Sequence, residues 1–417
     1  MAGDRFDVAI IGGGPAGSCL AGFLAKRGVS VALIEAERHP RYAVGESLLP
    51  QAWRYLEELG VAASVERAEF VRKKGVTTLW GGELRQFEFA WFGCDRDPLL
   101  VDRDRFDGIL FAHAASLGVS VFEKTRAISM VSRADCKIVL TEGPMGAGEI
   151  SCSILVDASG RSGVIARQSG ARQIYSDDGT VFLWGYFEGG RFILPGGRAK
   201  KRDVSVCQEA TSYMCETETG WALHLPLRKS SFVGFASHSD HLPGNPTDLE
   251  AYYLRTITTL PNFAMLLDGA LYSPGSFRYA KEMSFSASSF AEPGIFLVGD
   301  AAGYSDPIFA HGVQFALFSA YAASNAIVRS LTADDATPIV RYYDGQIRQH
   351  HQMSLAMARG VRMTFPGLLH WLPQDELDLI ATASAVTGRS ANFQQMASVA
   401  NVNAAERYRV LCELQAD

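Results

Sequence analysis

Several features of common protein classes are missing from this sequence. Its seven cysteines form an odd, scattered set without a C-x-x-C pair, which argues against a disulfide framework and a structural zinc site and favours a reducing compartment. The formal charge of −6 argues against a nucleic-acid-binding surface. No apolar run approaches the roughly 20 residues of a membrane span, and no signal peptide precedes the first predicted strand. We therefore expect a cytoplasmic protein with no metal site, no membrane span and no nucleic-acid partner.

The most informative stretch begins almost at the N-terminus, where an apolar run is followed by three glycines. Residues 8–11 have the character of a buried parallel strand. Gly12, Gly14 and Gly17 then follow in the G-x-G-x-x-G spacing, whose glycines permit a tight turn, close approach to a pyrophosphate and close helix packing. Glu35 lies about 20 residues further on, where a carboxylate accepts hydrogen bonds from a ribose. The stretch predicts a dinucleotide-binding site.

Two kinds of strand pattern alternate along the rest of the chain. Parts of it show buried apolar strands and helical periodicity, whereas other parts show aromatic and β-branched runs separated by Gly, Pro and charged clusters, as in antiparallel sheets. We predict an α/β protein of the α+β two-domain kind. The predicted boundaries are 1–75, 95–170 and 290–330 for a discontinuous Rossmann-like domain, 76–94 and 171–289 for an inserted antiparallel-sheet substrate domain, and 331–417 for a C-terminal helical region.

A second nucleotide contact is predicted late in the chain, where a strand ends in Gly299 and Asp300. A carboxylate there suits a ribityl hydroxyl of FAD, and the N-terminus of the following helix suits the flavin edge that becomes negative on reduction. No second G-x-G-x-x-G unit is present, so no separate NAD(P)H domain is visible. The sequence therefore predicts FAD, reduced by NAD(P)H either directly or through a flavin reductase.

Several motifs resemble those of the FAD monooxygenase and flavin-dependent halogenase superfamily, and the likeness is closer to its phenol and pyrrole halogenase branch. The superfamily segments are the glycine fingerprint with Glu35, Asp102-Arg103-x-x-Phe106-Asp107, Asp157-Ala-Ser-Gly160 and Gly299-Asp300-Ala-Ala. The segments resembling the halogenase branch are Val44-Gly-Glu-Ser-Leu-Leu-Pro50, residues 70–81, and Asp306-Pro-Ile-Phe-Ala-His-Gly-Val313.

The resemblance implies a fold of the glutathione reductase/hydroxylase type and assigns roles to particular residues. Lys73 matches the lysine that captures or guides hypohalous acid in halogenases. Ser47 and Arg103 match positions near the flavin, and Gly312 and Val313 match the backbone near its pyrimidine edge and the halide. The predicted cofactor-binding residues are Gly12, Gly14, Ala16, Gly17, Glu35, Ser47, Arg103, Asp300, Gly312 and Val313.

Two departures from the halogenase pattern favour oxygenation instead. The hallmark W-x-W-x-I-P is present here as Trp221-Ala-Leu223-His-Leu-Pro226, without its second tryptophan. The loop over the flavin has Ala310 and His311 where the family usually has two small hydroxyl residues. Both changes open space near the flavin, so the sequence favours a monooxygenase that passes oxygen from a flavin C4a-hydroperoxide to the substrate. The predicted catalytic residues are Lys73, His311, Trp221 and His224.

The alternatives stay open at this point. A halogenase that uses Lys73 and a partner flavin reductase is the runner-up, and a saturating enzyme resembling geranylgeranyl reductases ranks lower. The predicted substrate is an electron-rich aromatic ring, a phenol, indole or pyrrole. It is either free or bound to a peptide or carrier, including peptidyl tryptophan, in a biosynthetic or cofactor-maturation step.

Overall fold

The computed structural model describes residues 5–80, 82–92, 94–133, 135–174, 179–202, 207–281 and 284–363. The helices in these ranges are α1 (Pro15–Ala25), α2 (Ala52–Leu59), α3 (Ala62–Arg67), α4 (Arg103–Ser116), α5 (Val164–Gln168), α6 (Leu249–Thr259), α7 (Phe263–Leu266), α8 (His311–Ser330) and α9 (Thr337–Met363).

The strands in the same ranges are β1 (Arg5–Ile11), β2 (Val31–Ile34), β3 (Val71–Trp80), β4 (Glu83–Glu88), β5 (Leu99–Leu100), β6 (Ser120–Phe122), β7 (Arg126–Ser132), β8 (Lys137–Gly143), β9 (Gly146–Asp157), β10 (Arg172–Ile174), β11 (Thr180–Glu188), β12 (Arg191–Ile193), β13 (Ala199–Lys201), β14 (Glu209–Thr217), β15 (Gly220–Pro226), β16 (Ser230–His238), β17 (Leu271–Tyr272), β18 (Arg278–Ala280), β19 (Phe285–Ala287), β20 (Ala291–Glu292), β21 (Ile295–Leu297) and β22 (Gly303–Tyr304).

The first sheet is built around a parallel core in the order β21-β9-β1-β2-β6. Both of its faces are covered, which is why β1 is apolar without interruption from Val8 to Ile11. Val8 and Ile10 pack in the cluster that contains α1, α4 and α8, while Ala9 and Ile11 pack in the cluster on the other face. This arrangement confirms the predicted Rossmann-like α/β architecture. Strand β21, which pairs in parallel with β9, comes from late in the chain.

The carboxyl ends of three parallel strands meet at one edge of this sheet. Ile11 is in register with Asp157, which is itself in register with Leu297. The turns that follow are tied together by backbone hydrogen bonds from Ala158 N to Ile11 O at 2.8 Å and from Val298 N to Asp157 O at 3.0 Å. In open α/β sheets, ligands bind at this edge.

The second large sheet is mainly antiparallel and follows the order β13-β12-β14-β15-β16-β11-β17. Strand β3 pairs with β14, β4 and β5 of this sheet, so membership of the second sheet runs from Val71 to Leu100, beyond the predicted segment 76–94. Its two faces carry separate apolar clusters. We call one the Trp221 face (Val71, Phe182 and Trp221) and the other the Tyr253 face (Val233, Phe235 and Tyr253).

Two long helices, α8 and α9, pack in the apolar cluster on one face of the first sheet. Helix α8 packs on α1 and α9 packs on α8. Helix α9 accounts for part of the predicted C-terminal helical region, and residues 364–417 lie outside the described ranges. Among the helices described, none combines the length and apolar character needed to cross a bilayer.

Candidate active site

The turn between β1 and α1 has the backbone geometry of a pyrophosphate cradle. Gly12 has a φ of +105°, and a Cβ there would lie 2.4 Å from the carbonyl oxygen of Ala158. A Cβ at Gly17 would lie 1.8 Å from the carbonyl oxygen of Gly12, so both glycines are required by close packing. Gly14 differs, because the nearest neighbour of its Cβ position is an Arg41 nitrogen at 3.4 Å. The open side of the turn therefore lies at Gly14 and at the α1 N-terminus, where phosphate groups bind.

Glu35 is fixed beside this turn. Its Oε2 accepts hydrogen bonds from the backbone nitrogen of Gly13 at 2.8 Å and from Arg41 at 3.3 Å. Its Oε1 accepts a hydrogen bond from the backbone nitrogen of Glu37 at 2.9 Å. The carboxylate is thus held at the end of β2, within reach of the glycine turn, as the sequence pattern predicts for a ribose contact.

The loop of residues 38–50 is held over the sheet edge by Arg103, the first residue of α4. The Arg103 guanidinium donates from Nε and Nη2 to the two carboxylate oxygens of Asp107, at 2.8 and 3.0 Å. Its Nη1 donates to the carbonyl oxygens of Val44 and Gly45. A Cβ at Gly45 would lie 2.9 Å from this Nη1, so the loop and the guanidinium need glycine there. Arg103 therefore fixes the position of the loop that carries Ser47.

Asp300 and the start of α8 complete the predicted cofactor site. The Cβ position of Gly312 lies 3.9 Å from Oδ1 of Asp300, and a Cγ atom of Val313 lies 3.7 Å from the Cβ position of Gly45. Burial raises the pKa of Asp300 to about 6, against the opposing effect of Arg161 and Arg103. The structure thus brings Asp300, Gly312 and Val313 close to the loop of residues 38–50.

Two observations show that these residues fit FAD. On the open side of the glycine turn, the neighbour within 4 Å of the Cβ position of Gly14 is a nitrogen of Arg41, whose positive charge suits a pyrophosphate. In addition, Oε1 of Gln314, in the first turn of α8, is buried without a hydrogen-bond partner, and a buried polar atom is normally satisfied. Ala16 is buried beside the glycine turn, and it lies 3.0 Å from the Cβ position of Gly299. It therefore links the predicted pyrophosphate site to the turn that carries Asp300.

Lys73 lies on β3 with its amine inside the protein. Only 5% of the residue is exposed, and its Nζ donates a hydrogen bond to Oγ of Ser47 at 3.0 Å. The same nitrogen lies 5.2 Å from the ring centre of Phe89. Burial lowers the pKa of Lys73 to about 8. The amine is therefore about half neutral near pH 8, well below the pH at which an ordinary lysine loses its proton.

Three of the four predicted catalytic residues, Lys73, Trp221 and His224, lie on the second sheet and are divided between its two faces. Lys73 is in register with Ala210, which packs on the Trp221 face. That face also contains Ile308 from the loop before α8. His224 is in register with Tyr213 and Val233, and both of these lie on the Tyr253 face.

The location of His224 does not support the predicted catalytic role. The side chain is 1% exposed, and burial lowers its pKa to about 3, so it stays neutral inside an apolar layer. Trp221 is on the same face as Lys73, but it is 2% exposed and packed against Phe182 at 5.4 Å between ring centres. Its surroundings are those of a core residue.

His311 begins α8 and has both ring nitrogens engaged. Nδ1 lies 3.2 Å from Oγ of Ser354, and Nε2 lies 3.0 Å from Nε2 of His350. The ring also stacks on that of Phe315. Burial, together with His350 and His351, lowers the pKa of His311 well below its ordinary value. The residue is therefore a neutral member of a hydrogen-bond chain.

Comparisons with known proteins decide the family. The model of the FAD binding domain family matches residues 5–357. A 1H-pyrrole-2-carbonyl-[peptidyl-carrier protein] chlorinase of Pseudomonas fluorescens is 30% identical over 372 residues, covering 84% of this chain and 81% of the chlorinase. The chain belongs to the FAD-dependent monooxygenase and halogenase superfamily.

Other members of the superfamily agree with this assignment. A flavin-dependent halogenase of Armillaria mellea is 31% identical over 345 residues, covering 78% of this chain and 64% of the relative. The chain thus spans slightly less than two thirds of that relative. The solved structure of the myxobacterial chondrochloren halogenase superposes with a TM-score of 0.77 at 30% identity, covering 85% of this chain and 81% of that one. This flavoprotein therefore has flavin-dependent halogenases among its relatives.

The structure of this flavoprotein adds site residues that the sequence patterns did not indicate. The carboxylate of Glu46 is buried beside Ser47 and accepts hydrogen bonds from the Tyr186 hydroxyl and from the backbone nitrogen of Gly45. The Tyr42 hydroxyl accepts a hydrogen bond from the Trp184 ring nitrogen at 2.6 Å. These contacts tie the loop of residues 38–50 to β11, and only the Gly45-Glu46-Ser47 motif hinted at them.

Proposed function

We propose that the protein is a flavin-dependent halogenase acting on an electron-rich aromatic substrate. The observation that carries the proposal is the buried Lys73 amine, which contacts Ser47 in the loop fixed by Arg103. The halogenase relatives support the same function. We therefore favour halogenation, the second-ranked hypothesis from the sequence, over oxygenation. Hydroxylation stays as the second candidate.

Bound FAD, once reduced, supplies with oxygen the two-electron oxidation of a halide to hypohalous acid. The residues of the chain bind, orient and shield. The Gly14 turn and the α1 N-terminus would bind the pyrophosphate of FAD. Glu35 would accept hydrogen bonds from the ribose, and Asp300 would accept one from the ribityl chain. Arg103 keeps Ser47 in position, and Ser47 accepts the hydrogen bond that orients Nζ of Lys73.

The environment of Lys73 is suited to handling an electrophilic halogen. A neutral amine has a lone pair that attacks the halogen of hypohalous acid, whereas an ammonium group does not. Because burial lowers the pKa to about 8, the amine needs only a modest proton acceptor to become reactive. The Phe89 ring and the aromatic residues of the Trp221 face exclude water around it.

The substrate that we propose is a flat, electron-rich ring: a phenol, pyrrole or indole, either free or carried by a peptide or carrier protein. The Trp221 face is built of stacked, buried aromatic side chains, including Phe182, Trp184 and Phe232, so a ring bound beside it would meet an aromatic environment. The resemblance to an enzyme that chlorinates a carrier-bound pyrrole supports the carrier-bound form. A separate flavin reductase as electron donor is part of the proposal.

Two neighbouring lysines provide a matched test. Lys73 is buried, whereas Lys74 is partly exposed and paired with Asp97 at 2.8 Å. The FAD-loaded protein is supplied with NADH, a flavin reductase, bromide and phenol, indole or pyrrole as acceptors. We expect wild type and Lys74→Ala to brominate an acceptor, and Lys73→Ala to bind FAD but not to brominate. Normal bromination by Lys73→Ala would contradict the proposed role.

The second candidate, a monooxygenase, is favoured by a specific observation. Leu223 replaces the second tryptophan of the halogenase motif and lies on the Trp221 face, close to the loop before α8. A smaller side chain there gives a substrate more room beside the flavin. The same assay under ¹⁸O₂ separates the candidates, because a monooxygenase adds one labelled oxygen to the acceptor whether or not bromide is present.

A further inference from the structure

Four side chains form a continuous hydrogen-bond chain beside the start of α8. Oγ of Ser305 lies 2.5 Å from Oγ of Ser354, which lies 3.2 Å from Nδ1 of His311. Nε2 of His311 lies 3.0 Å from Nε2 of His350. Ser305 is in the loop between Asp300 and α8, while His350 and Ser354 are on α9. The hydrogen-bond chain therefore links the loop that precedes α8 to helix α9.

The two ends of the chain differ in exposure. Ser305, Ser354 and His311 are buried, whereas His350 is partly exposed. The His350 ring is held by stacking on His311, Phe315 and Phe318, with ring centres 4.9, 5.5 and 4.5 Å away. One end thus meets solvent and the other lies inside the protein, two residues before the short turn Pro307–Phe309.

The backbone beside His311 is strained in a way that aims this side chain. Ala310 has a φ of +55°, a left-handed conformation that is unfavourable for a residue with a Cβ. Such strain is retained where the surrounding structure needs it. Here it turns the chain into α8 so that the His311 ring meets His350 and Ser354.

We propose that His350, His311, Ser354 and Ser305 form a proton relay from solvent to the flavin site. The relay rests on the proposed oxygen chemistry, because conversion of oxygen and a halide to hypohalous acid and water by the anionic form of reduced FAD consumes two protons. Re-oxidation that yields hydrogen peroxide consumes one. In both cases the protons must reach a site that the protein closes to water.

Each transfer along the relay breaks one bond to hydrogen and forms another. His350 takes up a proton from water on Nδ1 as it gives the proton on its Nε2 to Nε2 of His311, and His311 gives the proton on its Nδ1 to Ser354. Ser354 passes its hydroxyl proton to Ser305, which delivers its own to the site. Each imidazole then carries its proton on the other ring nitrogen, and rotation of the hydroxyls together with a change of tautomer in both imidazoles resets the chain.

The relay requires neutral imidazoles between transfers, and the surroundings favour them. Burial lowers the pKa of His350 to about 4, and the titratable neighbour that acts on it is His351. Burial lowers the pKa of His351 to about 4 as well. At neutral pH the imidazole that donates and the imidazole that accepts are both uncharged, so neither blocks the hydrogen bond between the two Nε2 atoms.

The resting state can be tested without cofactor or substrate. In full-length protein labelled with nitrogen-15 in histidine, imidazole spectra at pH 7 report which ring nitrogen carries the proton. We expect complementary tautomers, with His350 protonated at Nε2 and His311 at Nδ1. Finding an imidazolium at either residue, or both rings protonated only at Nε2, would overturn the relay.

The second test follows the return of reduced FAD to its oxidised form after mixing with oxygen, without halide. His350→Gln keeps a hydrogen bond to His311 but cannot relay a proton. We expect its re-oxidation to slow by roughly tenfold or more, with FAD affinity unchanged. In His350→Ala, added imidazole should restore the rate. His351→Gln, on the same helix but outside the relay, should oxidise FAD as wild type does.

A wild-type rate in His350→Gln, or a failure of imidazole to restore His350→Ala, would contradict the relay. Equal slowing in His351→Gln would assign the effect to helix packing instead. Because no halide is present, these outcomes are separate from the test of halogenation. A protein that fails to brominate but loses re-oxidation rate in His350→Gln would keep the relay and lose the proposed function.

Discussion

The buried charge of Lys73 has a measurable effect on stability that changes with pH. Its pKa falls from 10.5 to about 8 because of burial. Each pKa unit corresponds to about 1.4 kcal/mol, so holding the charged amine inside the protein costs about 3 kcal/mol. Lys73→Met removes the charge with little change in shape, and it also removes the hydrogen bond to Ser47, which contributes about 1 kcal/mol.

The sign of the effect follows from the two states. Below pH 8 the amine is charged in both the folded and the unfolded protein, so the full penalty is present. Between pH 8 and 10.5 the folded amine is neutral while the unfolded amine still binds its proton, and the stability of wild type therefore rises with pH. We expect Lys73→Met to be more stable than wild type by about 2 kcal/mol at pH 7. This advantage should disappear by pH 10.

Urea-unfolding midpoints of wild type and variant, measured side by side from pH 7 to 10, check this expectation. Lys74→Met is the matched control, because its hydrogen bond to Asp97 raises the pKa of Lys74. Its difference from wild type should stay constant up to pH 9. A Lys73→Met difference that does not change with pH would refute the burial of a titrating amine.

Three further predictions follow from the same structure. Gly14→Ala should fold but lose FAD affinity, whereas Gly17→Ala should fail to fold because its Cβ would lie 1.8 Å from a carbonyl oxygen; FAD titration and circular dichroism separate the two. Tyr186→Phe leaves the buried Glu46 carboxylate one donor short and should lower the free energy of unfolding by about 1–3 kcal/mol. Below pH 6.5, wild type should lose stability because the unfolded His350 takes up a proton before the folded one does, and His350→Gln should lose less, as acid unfolding curves will show.

The predictions that the structure confirms came from local patterns in the sequence. The strand, glycine turn and helix around Gly12 and Gly17 are specified by neighbouring residues, because the close contacts involve turns of a few residues each. Period-two alternation also places Trp221 and His224, three residues apart, on opposite faces of a strand. That rule alone could have shown that the two side chains do not share a site.

Contacts between distant segments were not available from the sequence. Lys73 and Lys74 look alike along the chain. Alternation along β3 places them on opposite faces, and only the folded protein shows that the face of Lys73 is the buried one. His311 and His350 meet because α9 packs along α8. No spacing rule links residues from two separate helices. The same holds for Tyr186 and Glu46, which join β11 to the loop of residues 38–50.

The central claim, that the flavin site oxidises halide, is tested most directly by rapid mixing. Protein loaded with reduced FAD is mixed with oxygen at increasing bromide concentrations, with phenol, indole or pyrrole as acceptor. We predict that bromide speeds the return of oxidised FAD and that the acceptor becomes brominated. If bromide changes neither the rate nor the product, and the acceptor gains an oxygen atom instead, the protein is a monooxygenase and the claim is wrong.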